Sequence, residues 1–191
     1  MSAPLPPFHL ILAITGASGA PYAAHFLDKA RALPHLRLSI IMSRNAKEVW
    51  HTEVQAPLPQ SDGWRYWDPY DFSAPFASGS NPADGMLILP CSMGTVARIV
   101  HGVSDTLVTR AADVHLKERR PLVVVPRESP YNLIHLRNMT QLCEAGAVVA
   151  PASPSFYHRP NTIKELMEPF IERVLFLCGA VREYGGYRWG G

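Results

Sequence analysis

Cysteine is scarce in this sequence, and its spacing argues against two kinds of protein. Cys91, Cys143 and Cys178 are the three cysteines among 191 residues, and they lie far apart. A sparse, odd-numbered set argues against a disulfide scaffold, and without a CxxC pair it does not match the usual spacing of zinc ligands. The eight histidines show no ligand spacing either. We therefore expect a cytoplasmic protein that requires no metal.

Net charge and long apolar runs are also lacking. The 18 Lys and Arg residues exceed the 16 Asp and Glu residues by two, and a net charge of +2 is too small to indicate nucleic-acid or membrane binding. No apolar run reaches the roughly 20 residues of a membrane-spanning helix. The composition, 47% hydrophobic and 18% charged, is that of a globular chain. The length fits a single domain over residues 1–191.

Short apolar runs alternate with helical patterns along the chain. Five runs are predicted as strands: residues 9–14, 37–42, 86–89, 122–125 and 147–150. Six segments are predicted as helices: residues 20–32, 45–53, 95–101, 106–119, 131–144 and 162–179, the last with Asn161 or Thr162 as its N-cap. Continuous β-branched runs indicate strands that are buried on both faces. The pattern predicts an α/β fold, a three-layer, doubly wound parallel sheet.

Two regions do not fit this alternation. Residues 54–85 contain many prolines and aromatic residues, and we interpret them as a long loop that is either functional or an oligomer contact. Residues 184–191 form a tail rich in glycine and aromatic residues, which is expected to pack over the surface or onto a neighbouring subunit.

The first predicted strand runs into a segment of small residues, Thr15-Gly16-Ala17-Ser18-Gly19-Ala20. Small residues allow close approach of a phosphate, and the following helix would offer unpaired N–H groups and a positive dipole end. The segment is not GxGxxG, no Walker lysine follows, and the second strand ends at Ser43 instead of the acidic residue of an NAD site. Flavin mononucleotide (FMN) fits these facts better than a dinucleotide. A glycine-rich turn without a ligand remains the alternative.

The fourth predicted strand ends in Pro126, and Arg127 and Glu128 follow at once. Open α/β sheets bind ligands at this edge, so the pair is a candidate for catalysis or binding. A surface ion pair in a turn is the alternative. The third strand ends with Ser92 and the fifth with small residues before Tyr157, so all five strand ends carry small or polar side chains.

Basic residues predict a second anion site. Arg110 and Lys117 are seven positions apart on one predicted helix, and so lie roughly on the same face. Arg127 and Arg173 are further candidates, and the turn at residues 77–80 could add backbone donors. No Ser-His-Asp order or nucleophile elbow is present.

Four stretches of the chain resemble the UbiX-type flavin prenyltransferases. They are ITGASGAPYA (14–23), PFASGSNPADGMLILPCSMGT (75–95), TRAADVHLKERRPLVVVPRESPYNLIHLRNM (109–139) and PASPSFYHRP (151–160). The LKERRPLVVVPRE block and the ASGS–PCSMGT pair are specific to this family, whereas TGASGA alone would not identify it. The stretches follow in order from the first strand to the start of the last helix.

The resemblance implies a Rossmann-like or flavodoxin-like fold and a homododecamer. It implies that FMN and dimethylallyl phosphate bind where subunits meet, that the prenyl group is joined to flavin N5 and C6, and that the prenylated FMN serves a UbiD-type decarboxylase. It implies no metal. The resemblance leaves two points open. The donor is either the monophosphate or the diphosphate, and the pathway served is either ubiquinone synthesis or aromatic acid breakdown.

The resemblance also implies roles for individual residues. The residues that fall on the FMN site are Gly16, Ala17, Ser18, Ser43, Ser92, Met93, Gly94, Thr95 and Arg127. Catalytic roles fall on Glu128, Lys117, Tyr157 and Ser18. The prenyl-phosphate site takes Tyr157, Arg173, Lys117, Arg110, Ala77, Ser78, Gly79, Ser80 and Phe72. Phe72 is a departure, because some family members have Trp there.

The residue types suit the reaction that the resemblance implies. Lys117, Arg173 and the Tyr157 hydroxyl can neutralise a departing phosphate. Phe72 can stabilise an allylic cation, and Glu128, expected to be partly sheltered beside the flavin, can move a proton. Two rivals remain, an FMN-dependent decarboxylase of the peptidyl-cysteine or pantothenoyl-cysteine type and a flavin-binding module without chemistry of its own.

Overall fold

A six-stranded parallel sheet forms the centre of the protein in the computed structural model, which describes residues 6–81 and 83–186. The strands are β1 (Phe8–Ile14), β2 (Leu36–Met42), β3 (Trp64–Trp67), β4 (Gly85–Cys91), β5 (Leu122–Pro126) and β6 (Val148–Val149). Their order across the sheet is β3-β2-β1-β4-β5-β6, and every neighbouring pair is parallel. This is the doubly wound order of Rossmann-type folds, so the predicted fold class is confirmed.

Six α-helices connect the strands and cover the sheet. They are α1 (Ala20–Arg31), α2 (Arg44–Glu53), α3 (Met93–Val100), α4 (Leu107–Lys117), α5 (Leu133–Glu144) and α6 (Ile163–Leu177). Thr162 is the N-cap of α6, where its side chain accepts a hydrogen bond from Glu165 N. None of the helices in the described ranges is long and apolar enough to cross a bilayer.

The core consists of two layers, one on each face of the sheet. Helices α1, α2 and α6 pack on one face with Leu12 and Ile40 of the strands. Helices α3, α4 and α5 pack on the other face with Ile11, Ile88 and Val124. Successive strand residues point to opposite faces, and here both faces are buried. This explains why β4 and β5, which are fully buried, are apolar runs that do not alternate with polar residues.

The prediction of five strands and a long loop was wrong at β3. This edge strand, with the sequence WRYW, pairs with β2 from Leu38 opposite Trp64 to Ile41 opposite Trp67. Trp67 holds it in place, because its indole N–H donates to Ser39 Oγ at 3.1 Å and its ring packs edge-on against Phe76 at 5.5 Å. The sequence pattern does not indicate β3, because prolines flank it and an arginine interrupts its apolar residues. Packing of Trp67 stabilises this strand.

Candidate functional site

The carboxyl ends of β1 and β4 form the point where the chain turns to opposite sides of the sheet, which is where open α/β sheets bind ligands. Thr15, buried just after β1, joins the two ends. Its hydroxyl donates to Pro90 O at 2.9 Å and accepts a hydrogen bond from Ser92 N at 2.8 Å. Thr15 was not among the predicted site residues, although a hydroxyl directly after the first strand was the available signal.

Gly16 allows the loop after β1 to pack against the first turn of α2. A Cβ on Gly16 would lie 2.6 Å from the Cβ of Asn45, so any side chain would force the two segments apart. The side chains of Ala17 and Met93 are buried. These two side chains thus pack into the protein and leave little surface for a ligand.

A cavity of about 320 Å³ opens beside Thr15 at the switch point. Of the predicted FMN residues, Gly16, Ser43, Ser92 and Thr95 line it. The lining residues that the sequence did not indicate as site residues are Thr15, Arg44, Asn45, Pro69, Tyr70, Arg98, Asp105, Thr106, Val108 and Thr109. Four of the nine predicted FMN residues are thus brought together here.

Three helix N-termini converge on this cavity. Ser43, Ser92 and Thr106 are the N-caps of α2, α3 and α4, and all three line it. Each side chain accepts a hydrogen bond from a backbone N–H of the first turn, at 3.2 Å, 3.4 Å and 3.3 Å respectively. Because each helix N-terminus carries roughly half a positive charge, the cavity favours an anion.

The N-terminus of α1 does not offer the unpaired N–H groups that the sequence predicted. Glu53, the last residue of α2, places Oε2 at 2.8 Å from both Gly19 N and Ala20 N. Partial burial would raise the pKa of the Glu53 carboxyl, but the Ser18 hydroxyl, these two amides and the Arg127 charge together hold that pKa below its usual value. A carboxylate of the chain thus occupies the helix N-terminus at which the sequence predicts a phosphate.

Arg127 and Glu128 point to different partners at the end of β5. Arg127 Nε donates to Ser18 O at 3.0 Å and so connects β5 to the loop after β1. Glu128 Oε1 accepts a hydrogen bond from Ser129 N at 3.0 Å, and the residue is exposed. Glu128 is thus exposed in the single chain, and its sheltering beside a flavin stays a prediction.

Arg110 and Lys117 both contact the segment at residues 77–80, as their shared helix face predicts. Arg110 Nε donates to Ala77 O at 2.8 Å. The Lys117 ammonium and the Glu118 carboxylate lie so close to Gly79 that a Cβ there would overlap both. Ser78 and Ser80 join their hydroxyls at 2.8 Å in the same turn. This cluster lies along α4, outside the cavity.

Three predicted residues of the prenyl-phosphate site remain, Arg173, Tyr157 and Phe72. Arg173, on the opposite face of the sheet, lies 5.6 Å from the ring centroids of both Phe176 and Tyr184. Tyr157 follows β6 and is 64% exposed, and Phe72 is 47% exposed. Lys117 on α4 and Arg173 on α6 therefore lie on opposite faces of the sheet within one chain. Residues 187–191 of the predicted tail lie outside the described part of the chain.

The described residues contain no cluster of three or more His, Cys, Asp or Glu side chains that could hold a metal ion.

Comparison with known proteins places this geometry in a family. A family profile described as Flavoprotein matches residues 1–177. Flavin prenyltransferase UbiX of Thermoplasma acidophilum is 44% identical over 172 residues, which cover 89% of this chain and 94% of that protein. The chain belongs to the flavin prenyltransferase family. The flavin prenyltransferase UbiX of Pseudomonas aeruginosa, 38% identical, covers the chain more fully, with 96% of this chain and 95% of that protein aligned.

Solved structures of flavin prenyltransferase relatives share the fold. The dodecameric FMN-dependent UbiX-like decarboxylase of Escherichia coli O157:H7 superposes with a TM-score of 0.87 at 38% identity, covering 96% of this chain and all of that chain. AnUbiX, in complex with FMN and dimethylallyl pyrophosphate, gives a TM-score of 0.88 at 38% identity over 97% of this chain and 98% of its own. The peptidyl-cysteine decarboxylase EpiD, 20% identical with a TM-score of 0.59, shows a shared fold alone.

Proposed function

We propose that this protein is a flavin prenyltransferase that transfers the dimethylallyl group of dimethylallyl phosphate to N5 and C6 of reduced FMN. The observation that carries the proposal is the cavity at the switch point, where three helix N-termini and two arginines meet. Relatives that are named flavin prenyltransferase, at up to 44% identity, support the same reaction.

The cavity residues fit the phosphate end of FMN. Capping hydroxyls and helix N-termini bind phosphate without needing a metal. The volume of about 320 Å³ lies at the lower end of the range for small-molecule sites. We infer that the phosphate enters this cavity, near Ser43, Ser92 and Thr95, and not at the N-terminus of α1, where it would meet the Glu53 carboxylate.

The flavin ring would then lie towards Ser18 and Arg127, near the ends of β1 and β5. Arg127 contacts the Ser18 carbonyl, so the two residues form one surface. The remaining predicted FMN residues, Gly16, Ala17, Met93 and Gly94, would contribute backbone contacts. This arrangement places Glu128, the residue after Arg127, at the edge of the ring.

The prenyl-phosphate residues call for more than one subunit. Lys117 ends α4 at the amino edge of the sheet, where Arg120 contacts Ala83 O just before β4. Glu128 lies at the carboxyl edge, beyond the length of β5, about 15 Å away. We infer that a neighbouring subunit brings its Lys117 to the Glu128 of the first, in a homododecamer. The dodecameric E. coli relative supports this assembly.

Each residue has a defined task in the proposed reaction. Reduced FMN supplies the nucleophilic N5 and C6. Lys117, Arg173 and the Tyr157 hydroxyl neutralise the phosphate as its C–O bond to the prenyl group breaks. Phe72 faces the developing allylic cation. As N5 bonds to the prenyl group it releases its proton, and the Ser18 hydroxyl, linked to Glu53, is placed to pass a proton to the prenyl double bond. C6 then bonds to the carbon that this protonation leaves electron-deficient, and the Glu128 carboxylate accepts the proton that leaves C6.

The product would be prenylated FMN for a UbiD-type decarboxylase in the cytoplasm. Three free cysteines support a reducing compartment, and two of them, Cys91 and Cys178, are buried.

The test is to incubate the purified protein with reduced FMN and dimethylallyl phosphate without oxygen. Mass spectrometry of the released flavin should show the mass of one added prenyl unit. A parallel reaction with dimethylallyl diphosphate identifies the preferred donor. A flavin that binds but keeps its mass with both donors would overturn the proposal and favour a flavin-binding module. Loss of CO₂ from a cysteine-terminated peptide or from phosphopantothenoyl-cysteine would favour the decarboxylase instead.

A further inference from the structure

Arg98 is a lining residue of the switch-point cavity that is held in a fixed place. It lies on α3, and its Nη1 donates to Gly94 O at 3.2 Å. Its Nε donates to Asp105 Oδ2 at 3.3 Å. Asp105 is itself tied to α4, because Thr109 Oγ1 donates to its other carboxylate oxygen at 3.4 Å. The guanidinium is thus fixed between the N-terminal turns of two helices.

These contacts leave Arg98 able to bind a further anion. A guanidinium has five N–H donors in a planar fork, and the two contacts use one at Nε and one at Nη1. Its side chain is 52% exposed and lines the cavity beside Ser92 and Thr95. The Asp105 carboxylate offsets part of the charge, but Arg44 and three helix N-termini keep the cavity positive.

We propose that Arg98 makes this protein select FMN over unphosphorylated riboflavin, by binding the 5′-phosphate of the flavin in the switch-point cavity. The inference rests on the proposed function, since it takes FMN as the flavin. A preorganised guanidinium binds phosphate through two parallel hydrogen bonds, and riboflavin has no group that could replace them.

Arg44 provides a matched comparison in the same cavity. It has the same charge and is exposed at the first turn of α2. Whereas Arg98 is held by two contacts, the described hydrogen bonds and ion pairs include none to the Arg44 guanidinium. A flexible arginine loses more side-chain entropy on binding, so it contributes less. Removing Arg44 should therefore weaken FMN binding less than removing Arg98.

The experiment titrates FMN and riboflavin separately into the wild type and into the Arg98→Gln, Arg98→Lys and Arg44→Gln variants, following flavin absorbance and fluorescence. Arg98→Gln should raise the Kd of FMN by about 10- to 100-fold, the loss expected for hydrogen bonds to a charged group. The Kd of riboflavin should stay within about twofold. Arg98→Lys should retain part of the selectivity, because the charge remains without the planar fork.

Three outcomes would overturn the inference: an unchanged preference for FMN in Arg98→Gln, equal weakening of both flavins, or an equal effect of Arg44→Gln. Far-ultraviolet circular dichroism checks that each variant is folded. If Arg98→Gln does not fold, the Arg98→Lys variant is used for the comparison. Failure of the wild type to bind FMN would instead count against the proposed function. Wild-type prenylation together with an unaltered Arg98→Gln preference would remove only the role of Arg98.

Discussion

A few individual residues set the distribution of charge around the carboxyl ends of β1 and β4. Glu53 neutralises the N-terminus of α1, whereas the N-termini of α2, α3 and α4 are capped by neutral hydroxyls. A phosphate is therefore favoured at one of two neighbouring places. Because the Glu53 carboxylate occupies the N-terminus of α1, the favoured place is the cavity at the N-termini of α2, α3 and α4.

The Glu53→Gln variant should be less stable than the wild type at pH 7, by about 1 kcal/mol, because a charge at a helix N-terminus is lost. The pKa of Glu53 is lower in the folded than in the unfolded protein. Its stabilising effect is thus present above the ordinary pKa of 4.5 and disappears as the pH falls through the lower folded value. Thermal unfolding at pH 7 and near pH 3 measures this.

Glu48→Gln is the control for Glu53, because Glu48 is exposed on the same helix. Its unfolding temperature should stay close to that of the wild type at both pH values. An equal destabilisation by the two variants would show that overall charge, and not the α1 contact, is responsible.

The Glu128→Gln variant should keep FMN binding but slow prenylation at least 100-fold, the lower limit usual for loss of a general base. The amide keeps the shape of the carboxylate but cannot accept the proton. Glu144→Gln, at the end of α5, serves as a distant control. Anaerobic single-turnover assays with saturating FMN measure the rate, and a wild-type rate in Glu128→Gln would remove Glu128 from this role.

At the scale of secondary structure, β3 and the segment after it act as one packed unit. Trp67 contacts Ser39 of β2 and Phe76 of the 3₁₀ turn Pro75–Ala77. The guanidinium of Arg65 lies 3.6 Å from the centroid of the Trp67 ring. Since the segment continues to residues 77–80, this packing also positions the turn that contacts Lys117.

Trp67→Ala should reduce the free energy of unfolding by about 3–5 kcal/mol, as expected for truncation of a large buried aromatic residue. Tyr70→Ala, a few residues later and 65% exposed, should change it by less than about 0.5 kcal/mol. Urea unfolding followed by circular dichroism compares the two. Equal effects would mean that β3 is not fixed through Trp67.

At the scale of the whole molecule, the sheet separates residues that the proposed reaction needs together. Lys117 lies on the α4 side of the sheet and Arg173 on the α6 side, while Glu128 lies at the carboxyl edge. The protein also exposes large apolar side chains, among them Leu133, Ile134 and Phe156. A site shared between subunits would account for both features.

Mixing two inactive variants tests this shared site. Lys117→Met and Glu128→Gln subunits, dissociated and reassembled together at equal amounts, should recover about one quarter of wild-type prenylation, because each site draws the two residues from different chains. The separate variants, treated alike, should stay inactive. Absence of recovery in a mixture shown by native mass spectrometry to contain hybrids would place both residues in one chain.

Much of the fold follows from local sequence, because strands buried on both faces need continuous apolar runs and the helices between them carry recognisable caps. Predicted strand 122–125 and β5 (Leu122–Pro126) nearly coincide for this reason. Strand β3 was missed because its stability comes from Trp67 packing on residues distant in sequence. The sequence also predicts the small and hydroxyl residues of the site, because they directly follow strands. It does not single out Arg98, within α3, or Thr106, just before α4, because such residues are common in and around helices.

Hydrophobic periodicity and the composition of strand ends are local properties, so the doubly wound sheet and the polar groups at its carboxyl edge can be predicted from the sequence. The place where an anion can bind depends instead on contacts between distant parts of the chain. Glu53 reaches the N-terminus of α1 from 34 residues away and occupies it. Three other helix N-termini meet around Arg98. Lys117 and Glu128, only 11 positions apart, lie at opposite edges because β5 runs between them. Electrostatics depend on distance in space, and only folding sets those distances.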